Sequence, residues 1–225
     1  YPPILRAGEI IGGHEVKPHS GPYMAFIESV RDDGKKSHCG AAHCLGSSMR
    51  VTLGAHNVTA QEETQQNLPV AKAIPYPCYN RENITNDIML LKVRPAKRTK
   101  AVKTLKLPWR KVHVKPGCVC SVAGWGMMAP EGKCANTLQE VELTVQKDQE
   151  CEACYPGYYN KAIRCKSDQT PVAPLHSQGD SGGPLLCKKV TAGIVSFGYS
   201  DGSAPRVFTR VSSFLSWIKK TMKHS

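Results

Sequence analysis

No apolar run in this 225-residue chain exceeds four or five residues, and Ile88-Met89-Leu90-Leu91 is representative. A helical membrane span needs about 20, so the sequence excludes one and a soluble protein is expected. There is no internal repeat, no low-complexity linker and no glycine period, and the 40% hydrophobic content is too high for a disordered chain. Paired Cys-x-x-Cys motifs at finger spacing are also missing. Cys151-Glu152-Ala153-Cys154 stands alone, without the histidine partners a zinc site would need, and no metal is expected. Tyr1–Glu9 lack the long apolar core of a secretory signal. Acidic residues are scarce: 18 Asp and Glu face 30 Lys and Arg, for a net charge of +12.

What is present narrows the class. Ten cysteines suggest an oxidising compartment. Asn57-Val58-Thr59 and Asn83-Ile84-Thr85 are acceptor triplets for N-glycans. Together these favour secretion or storage in a granule, in which case Tyr1–Glu9 would include the remnant of a removed signal. The positive surface favours polyanions. Its densest part, Lys92–Lys115, holds ten Lys or Arg and no carboxylate. That run is either a solvated surface between strands or a docking face for an acidic, sulfated proteoglycan, where counterion release rewards repeated cations. Trp109 is its only aromatic residue, so specific nucleic-acid recognition is not expected.

Short β-like runs recur at Val51–Gly54, Val70–Ile74, Ile88–Val93, Val119–Gly124, Leu138–Val145, Pro184–Cys187, Thr191–Phe197 and Arg206–Val211, separated by turn-forming residues. Only the end reads as helix. Val211, Phe214, Leu215, Ile218 and Met222 recur at three- and four-residue steps, with Ser212 or Ser213 as candidate caps. The expected class is all-β with one C-terminal α-helix.

Three strings carry chemistry. Ala41-Ala42-His43-Cys44 offers a histidine, Asn86-Asp87-Ile88-Met89 an aspartate at the mouth of an apolar strand, and Gly179-Asp180-Ser181-Gly182-Gly183-Pro184-Leu185 a serine in a glycine-rich turn. Each alone has a bland reading as a packed histidine, a strand cap or a polar loop. Together they are a nucleophile, a base and an orienting carboxylate. A serine hydroxyl becomes a nucleophile only if a base takes its proton, and His43 titrates in the useful range. Asp87 would fix the imidazole tautomer and stabilise the imidazolium. The N–H groups of Gly179 and Ser181 could face a developing oxyanion, each such donor being worth roughly 3–4 kcal/mol in the transition state.

These strings resemble the chymotrypsin-like serine proteases, most closely their granzyme and mast-cell chymase branch. Ile10-Ile11-Gly12-Gly13, Pro22-Tyr23-Met24-Ala25, Cys120-Ser121-Val122-Ala123-Gly124-Trp125-Gly126 and Trp217-Ile218-Lys219-Lys220-Thr221-Met222 extend the likeness across residues 10 to 224. The resemblance implies two six-stranded antiparallel β-barrels with the triad between them, in a single protease domain spanning 10–225. It implies acyl-enzyme hydrolysis of protein substrates without a cofactor, and susceptibility to serine protease inhibitors. Residues 1–9 would comprise the signal remnant and an activation dipeptide, Gly8-Glu9. Removing it would free the Ile10 amine to pair with Asp180, so the chain as written reads as a zymogen. Family pairing implies disulfides Cys39–Cys44, Cys120–Cys187 and Cys151–Cys165, and leaves Cys78, Cys118, Cys134 and Cys154 unassigned.

The family's specificity pocket maps onto Leu175, the strand Ser196-Phe197-Gly198, and Arg206. Leu175 stands where an aspartate would select basic residues, and argues against that preference. Arg206 occupies the place where aspartate-cleaving granzymes carry arginine, and a buried guanidinium would pair with an acidic side chain. A chymase-like pocket is the alternative. One departure is large: only three residues separate Cys39 from His43, about eleven fewer than the family pattern. That is more than one typical strand of ~5–6 residues, so the first barrel is expected to be a strand short, with two exposed edges. A protease-fold protein that binds glycans or microbial surfaces without catalysis is the competing reading.

Overall fold

The computed structural model describes residues 13–30, 36–38, 48–82, 84–109, 114–126, 133–147, 149, 162–166, 181–197 and 206–224. Twelve strands among the described residues fall into two antiparallel sheets, followed by a C-terminal helix. β1 (His14–Glu15) opens the chain. The first lobe follows, with β2 (Ala25–Val30), β3 (Lys36–His38), β4 (Ser48–Leu53), β5 (Gln66–Pro75) and β6 (Met89–Val93) in the order β3-β2-β4-β5-β6. Five strands of the first lobe are described; the shortened stretch from Cys39 to His43, where a strand is expected to be missing, lies outside the described residues.

The second lobe is built from β7 (Val119–Gly124), β8 (Gln139–Val145), β9 (Ala162–Lys166), β10 (Pro184–Cys187), β11 (Val190–Phe197) and β12 (Arg206–Arg210). Their order is β8-β7-β10-β11-β12-β9, and a further β8–β9 pairing closes the six strands into a barrel. β1 adds to the outer edge of β8, pairing His14 with Glu140 and Glu15 with Gln139. The chain thus contributes to its second lobe before it builds its first.

Alternation explains β8. Gln139, Val141, Leu143 and Val145 point inward, while Glu142 is exposed between them, as a strand with one solvated face requires. Val141, Leu143, Val122, Leu185, Val195 and Phe208 share one core. Leu185 and Phe208 are wholly buried, each burial being worth about 1.5–3 kcal/mol. Gly193 makes this packing possible, since a Cβ there would lie 3.0 Å from Cβ of Phe208. The Cys120–Cys187 disulfide crosses the same core, as the family pairing implies.

The C-terminus departs from the sequence reading at its start. Val211–Phe214 form a 3-10 turn and α1 (Leu215–Lys223) follows; no side chain caps either, so Ser212 and Ser213 do not serve as caps. Burial decides this: Ser212 is taken into the interior alongside Val211 and Phe214. Ile218, Phe214 and Val211 then pack against Ile88 of the first lobe. Further bonds join the lobes. Leu138 N–H donates to the His56 carbonyl at 3.0 Å, and Val58 N–H to that of Asn136 at 2.9 Å. The Trp125 indole also donates to the His56 carbonyl, at 2.9 Å.

Candidate active site at the lobe interface

Asp87 ends the loop that runs from β5 to β6, and it is only 2% exposed. A buried carboxylate is costly unless hydrogen-bonded, and the second lobe supplies the bonds. Ser196 Oγ, on β11, donates to Asp87 Oδ2 at 2.7 Å. Thr209 Oγ1, on β12, donates to the Asp87 carbonyl at 2.8 Å. Ile88 beside it is anchored in the cluster with α1. The aspartate is therefore carried by one lobe and held by the other.

Ser181 opens the turn into β10. Gly182 has φ +93°, a conformation that favours glycine. Its N–H donates to the Val195 carbonyl at 2.9 Å, and Val195 N–H returns a bond to Gly183 at 2.9 Å. The serine turn is thus pinned to the residue preceding Ser196, whose hydroxyl holds Asp87. Two residues far apart in sequence are joined through one short stretch of β11. Ser181 also borders a cleft of about 210 Å³, together with Phe26, Ile27, Trp125, Gly182 and Gly183.

Of the pocket residues, Ser196 is buried, Phe197 half-buried and Arg206 8% exposed. Arg206 begins β12, where its backbone faces Cys165 of β9, and Val207 faces Phe197 of β11. The described pocket residues thus lie on adjoining strands. His43, Gly179, Asp180, Ile10, Leu175, Gly198, Cys39, Cys44, Cys151, Cys154 and Asn83 lie outside the described residues. Asn57 is half-buried, and its side-chain oxygen accepts from Thr59 N–H, Thr59 Oγ1 and Ala60 N–H. Cys78 and Cys118 are thiols, and Cys134 is exposed. Among the described residues no cluster of three or more His, Cys, Asp or Glu could hold a metal.

The comparisons give this arrangement its family. The trypsin family profile matches residues 10–218. The chain belongs to the trypsin family of serine proteases. Granzyme B(G,H) of Mus musculus is 60% identical over 232 residues, covering 98% of this chain and 94% of that protein. Granzyme B of Homo sapiens is 53% identical, with 98% and 94% covered. The solved structure of granzyme C (GrC) superposes with a TM-score of 0.89 at 56% identity, over 95% of this chain and all of that one. The first alignment is longer than the 225-residue chain itself, so this chain is gapped relative to that granzyme.

Sequence reading missed two residues of the site. Ser196 was expected only as a pocket wall, and Thr209 was not singled out. Nothing in the local sequence marks either as a partner of Asp87, because the pairing depends on which strands adjoin.

No described helix is long and apolar enough to cross a membrane. The described cations of the basic run, Lys92, Arg94, Lys97, Arg98, Lys100, Lys103, Lys106 and Lys115, are all exposed. Gln66 pins this run to β5, donating to the Lys97 carbonyl at 2.9 Å and accepting from Lys97 N–H at 2.8 Å.

Proposed function

We propose that this chain hydrolyses proteins through a triad of His43, Asp87 and Ser181, with a preference for an acidic residue before the scissile bond. The observation that supports the triad most directly is the buried Asp87 carboxylate held by Ser196 beside the pinned Ser181 turn. In this mechanism His43 takes the Ser181 hydroxyl proton as Oγ attacks the carbonyl carbon. The N–H groups of Gly179 and Ser181 stabilise the oxyanion. The imidazolium, balanced by Asp87, then protonates the leaving amine. A water that gives its proton to His43 splits the acyl ester and regenerates Ser181. Removal of residues 1–9 lets the Ile10 amine pair with Asp180 and order the oxyanion loop.

Acidic preference rests on Arg206. A guanidinium 8% exposed at the start of β12 would give an acidic side chain charge-assisted hydrogen bonds in a desolvated setting. Leu175, Ser196, Phe197 and Gly198 complete the pocket in this reading. The exposed lysines and arginines of the 92–115 run fit storage on acidic proteoglycan in a secretory or cytolytic granule, released by raised salt. Asn57 and Asn83 are the glycan acceptors, Cys39–Cys44 and Cys151–Cys165 are the remaining disulfides, and serine protease inhibitors are the expected antagonists.

The test is fluorophosphonate labelling of protein trimmed to Ile10, followed by peptides differing only in Asp, Phe, Met or Leu at the cleavage position. Covalent modification of Ser181 and fastest cleavage after Asp are expected. Faster cleavage after Phe would reject the acidic preference. Absence of labelling would favour the second reading, a cationic glycan-binding protein, which the gap before His43 keeps specific.

A further inference from the structure

Two lysines turn the corner between β10 and β11. Cys187 faces Val190 across the hairpin, so Lys188 and Lys189 form a two-residue loop, and both take positive φ, 51° and 63°. Tight hairpins need that backbone, which asparagine or glycine usually supplies. Lysine adopts it under strain, and such strain persists only where surrounding structure enforces it. Both lysines are exposed. The Cys120–Cys187 disulfide ties this corner to the start of β7, where Val119 is 52% exposed.

The segment linking the two lobes runs past the same corner. Thr191 Oγ1, two residues beyond Lys189, makes a long bond of 3.5 Å to the Lys106 carbonyl. Pro108 is then fully buried, yet its neighbours Leu107 and Trp109 are 43% and 73% exposed. Val114 returns to the barrel core. Cys118 N–H donates to the Lys115 carbonyl at 3.2 Å in the turn that leads into Val119. Lys106 and Lys115 are exposed as well. One end of the second barrel thus presents three apolar side chains among four lysines, with the segment that carries the tryptophan anchored by a buried proline.

The lysines alone would suit any polyanion, but exposed tryptophan, leucine and valine contribute little to gripping a polar sulfated glycan. Lysine is depleted from the cores of protein–protein interfaces. A bilayer surface rewards both kinds of residue: anionic headgroups attract lysines, and tryptophan settles where water meets hydrocarbon. We propose that this end of the second barrel docks on an anionic lipid surface, with Leu107 and Trp109 entering the headgroup layer and Lys106, Lys188 and Lys189 meeting the phosphates. The docking does not depend on the triad assigned above. Ser181 lies before β10 and the lysine hairpin after it, so the four residues of that strand, about 13 Å in length, stand between them. Docking leaves Ser181 at the end of β10 remote from the lipid.

The experiment mixes the whole 225-residue chain with vesicles of phosphatidylcholine, with and without phosphatidylserine, and reads co-sedimentation and tryptophan emission. The parent is expected to bind the phosphatidylserine vesicles alone, with its emission shifted to the blue. Trp109→Ser is expected to weaken binding by about 10-fold or more and to lose the shift, since Trp125 is buried and Trp217 packs against Tyr76. Lys188→Gln and Lys189→Gln are each expected to weaken binding by about 5-fold. Quenching of the parent's emission by lipids brominated on their acyl chains gives a second reading that needs no variant to fold. The proposal is overturned if the parent ignores phosphatidylserine vesicles, or if bound parent shows neither shift nor quenching. It is equally overturned if a folded Trp109→Ser variant binds vesicles as tightly as the parent, which would leave charge alone at work. A Trp109→Ser variant that loses affinity for a sulfated glycan while keeping it for vesicles would assign the surface to glycan instead.

Discussion

The Ser196 hydroxyl reaches Asp87 Oδ2 at 2.7 Å, so a strand of the closed barrel grips the carboxylate delivered by the first lobe. Both residues are nearly inaccessible to water. Hydrogen bonds to buried charged groups are worth about 1.5–3 kcal/mol. Replacing Ser196 with alanine should therefore lower kcat/KM by roughly 10- to 100-fold, measured on trimmed protein with a good peptide substrate. Ser196→Thr, which keeps a hydroxyl, should retain more activity than the alanine variant. Equal rates for parent and alanine variant would show that this bond does not orient Asp87.

Arg206 gives a specificity prediction. Arg206→Ala should abolish any advantage of Asp over Leu at the cleavage position while leaving fluorophosphonate labelling of Ser181 intact. Carboxylate–guanidinium pairing in a desolvated pocket is strong, and the ratio of kcat/KM for the two peptides reads it directly. An unchanged ratio would place the acid-reading group elsewhere.

Glu62 predicts a pH effect. Burial pushes its carboxyl up, but N–H donors of His56 and Asn57, the Gln65 amide and the nearby His19 outweigh that and hold it below its usual range. A carboxyl depressed in the folded state adds stability above its unfolded value near 4.3, and that stability fades as pH falls through the lower folded value. Glu62→Gln should therefore narrow the loss of melting temperature between pH 6 and pH 3. If the parent and variant curves stay parallel across that range, the carboxylate is not the group responsible.

Gly54 predicts a fold defect outside the site. It has φ +74°, and a Cβ there would lie 2.3 Å from the Thr64 carbonyl oxygen, on a residue whose Oγ1 also donates to the Gly54 carbonyl at 2.9 Å. Gly54→Ala should destabilise by more than about 1 kcal/mol, seen as a lower urea midpoint with an unchanged slope. A midpoint equal to the parent's would contradict this steric account.

How far the sequence could be read follows from the residues. β7 and β10 were legible to the residue, and β8 to within one, because apolar and polar positions alternate against a single core. β2 was not, since Glu28 and Ser29 break the apolar pattern, yet Ser29 is fully buried. Its place comes from pairing with β3 and β4, a tertiary fact. In the site, Asp87 and Ser181 were visible as chemistry in local strings. Ser196 and Thr209, respectively 109 and 122 positions from Asp87, were not, because only strand order brings them there.

The first and last described elements each cross to the other half of the molecule: His14 and Glu15 lie along β8, while Phe214 and Ile218 close over Ile88. Neither half is therefore whole when severed from its sibling. A break in the connecting stretch near Leu107 would strip one piece of its lid and the other of its outermost ribbon. Denaturation should accordingly show one concerted step, and separately expressed halves should regain shape only when mixed.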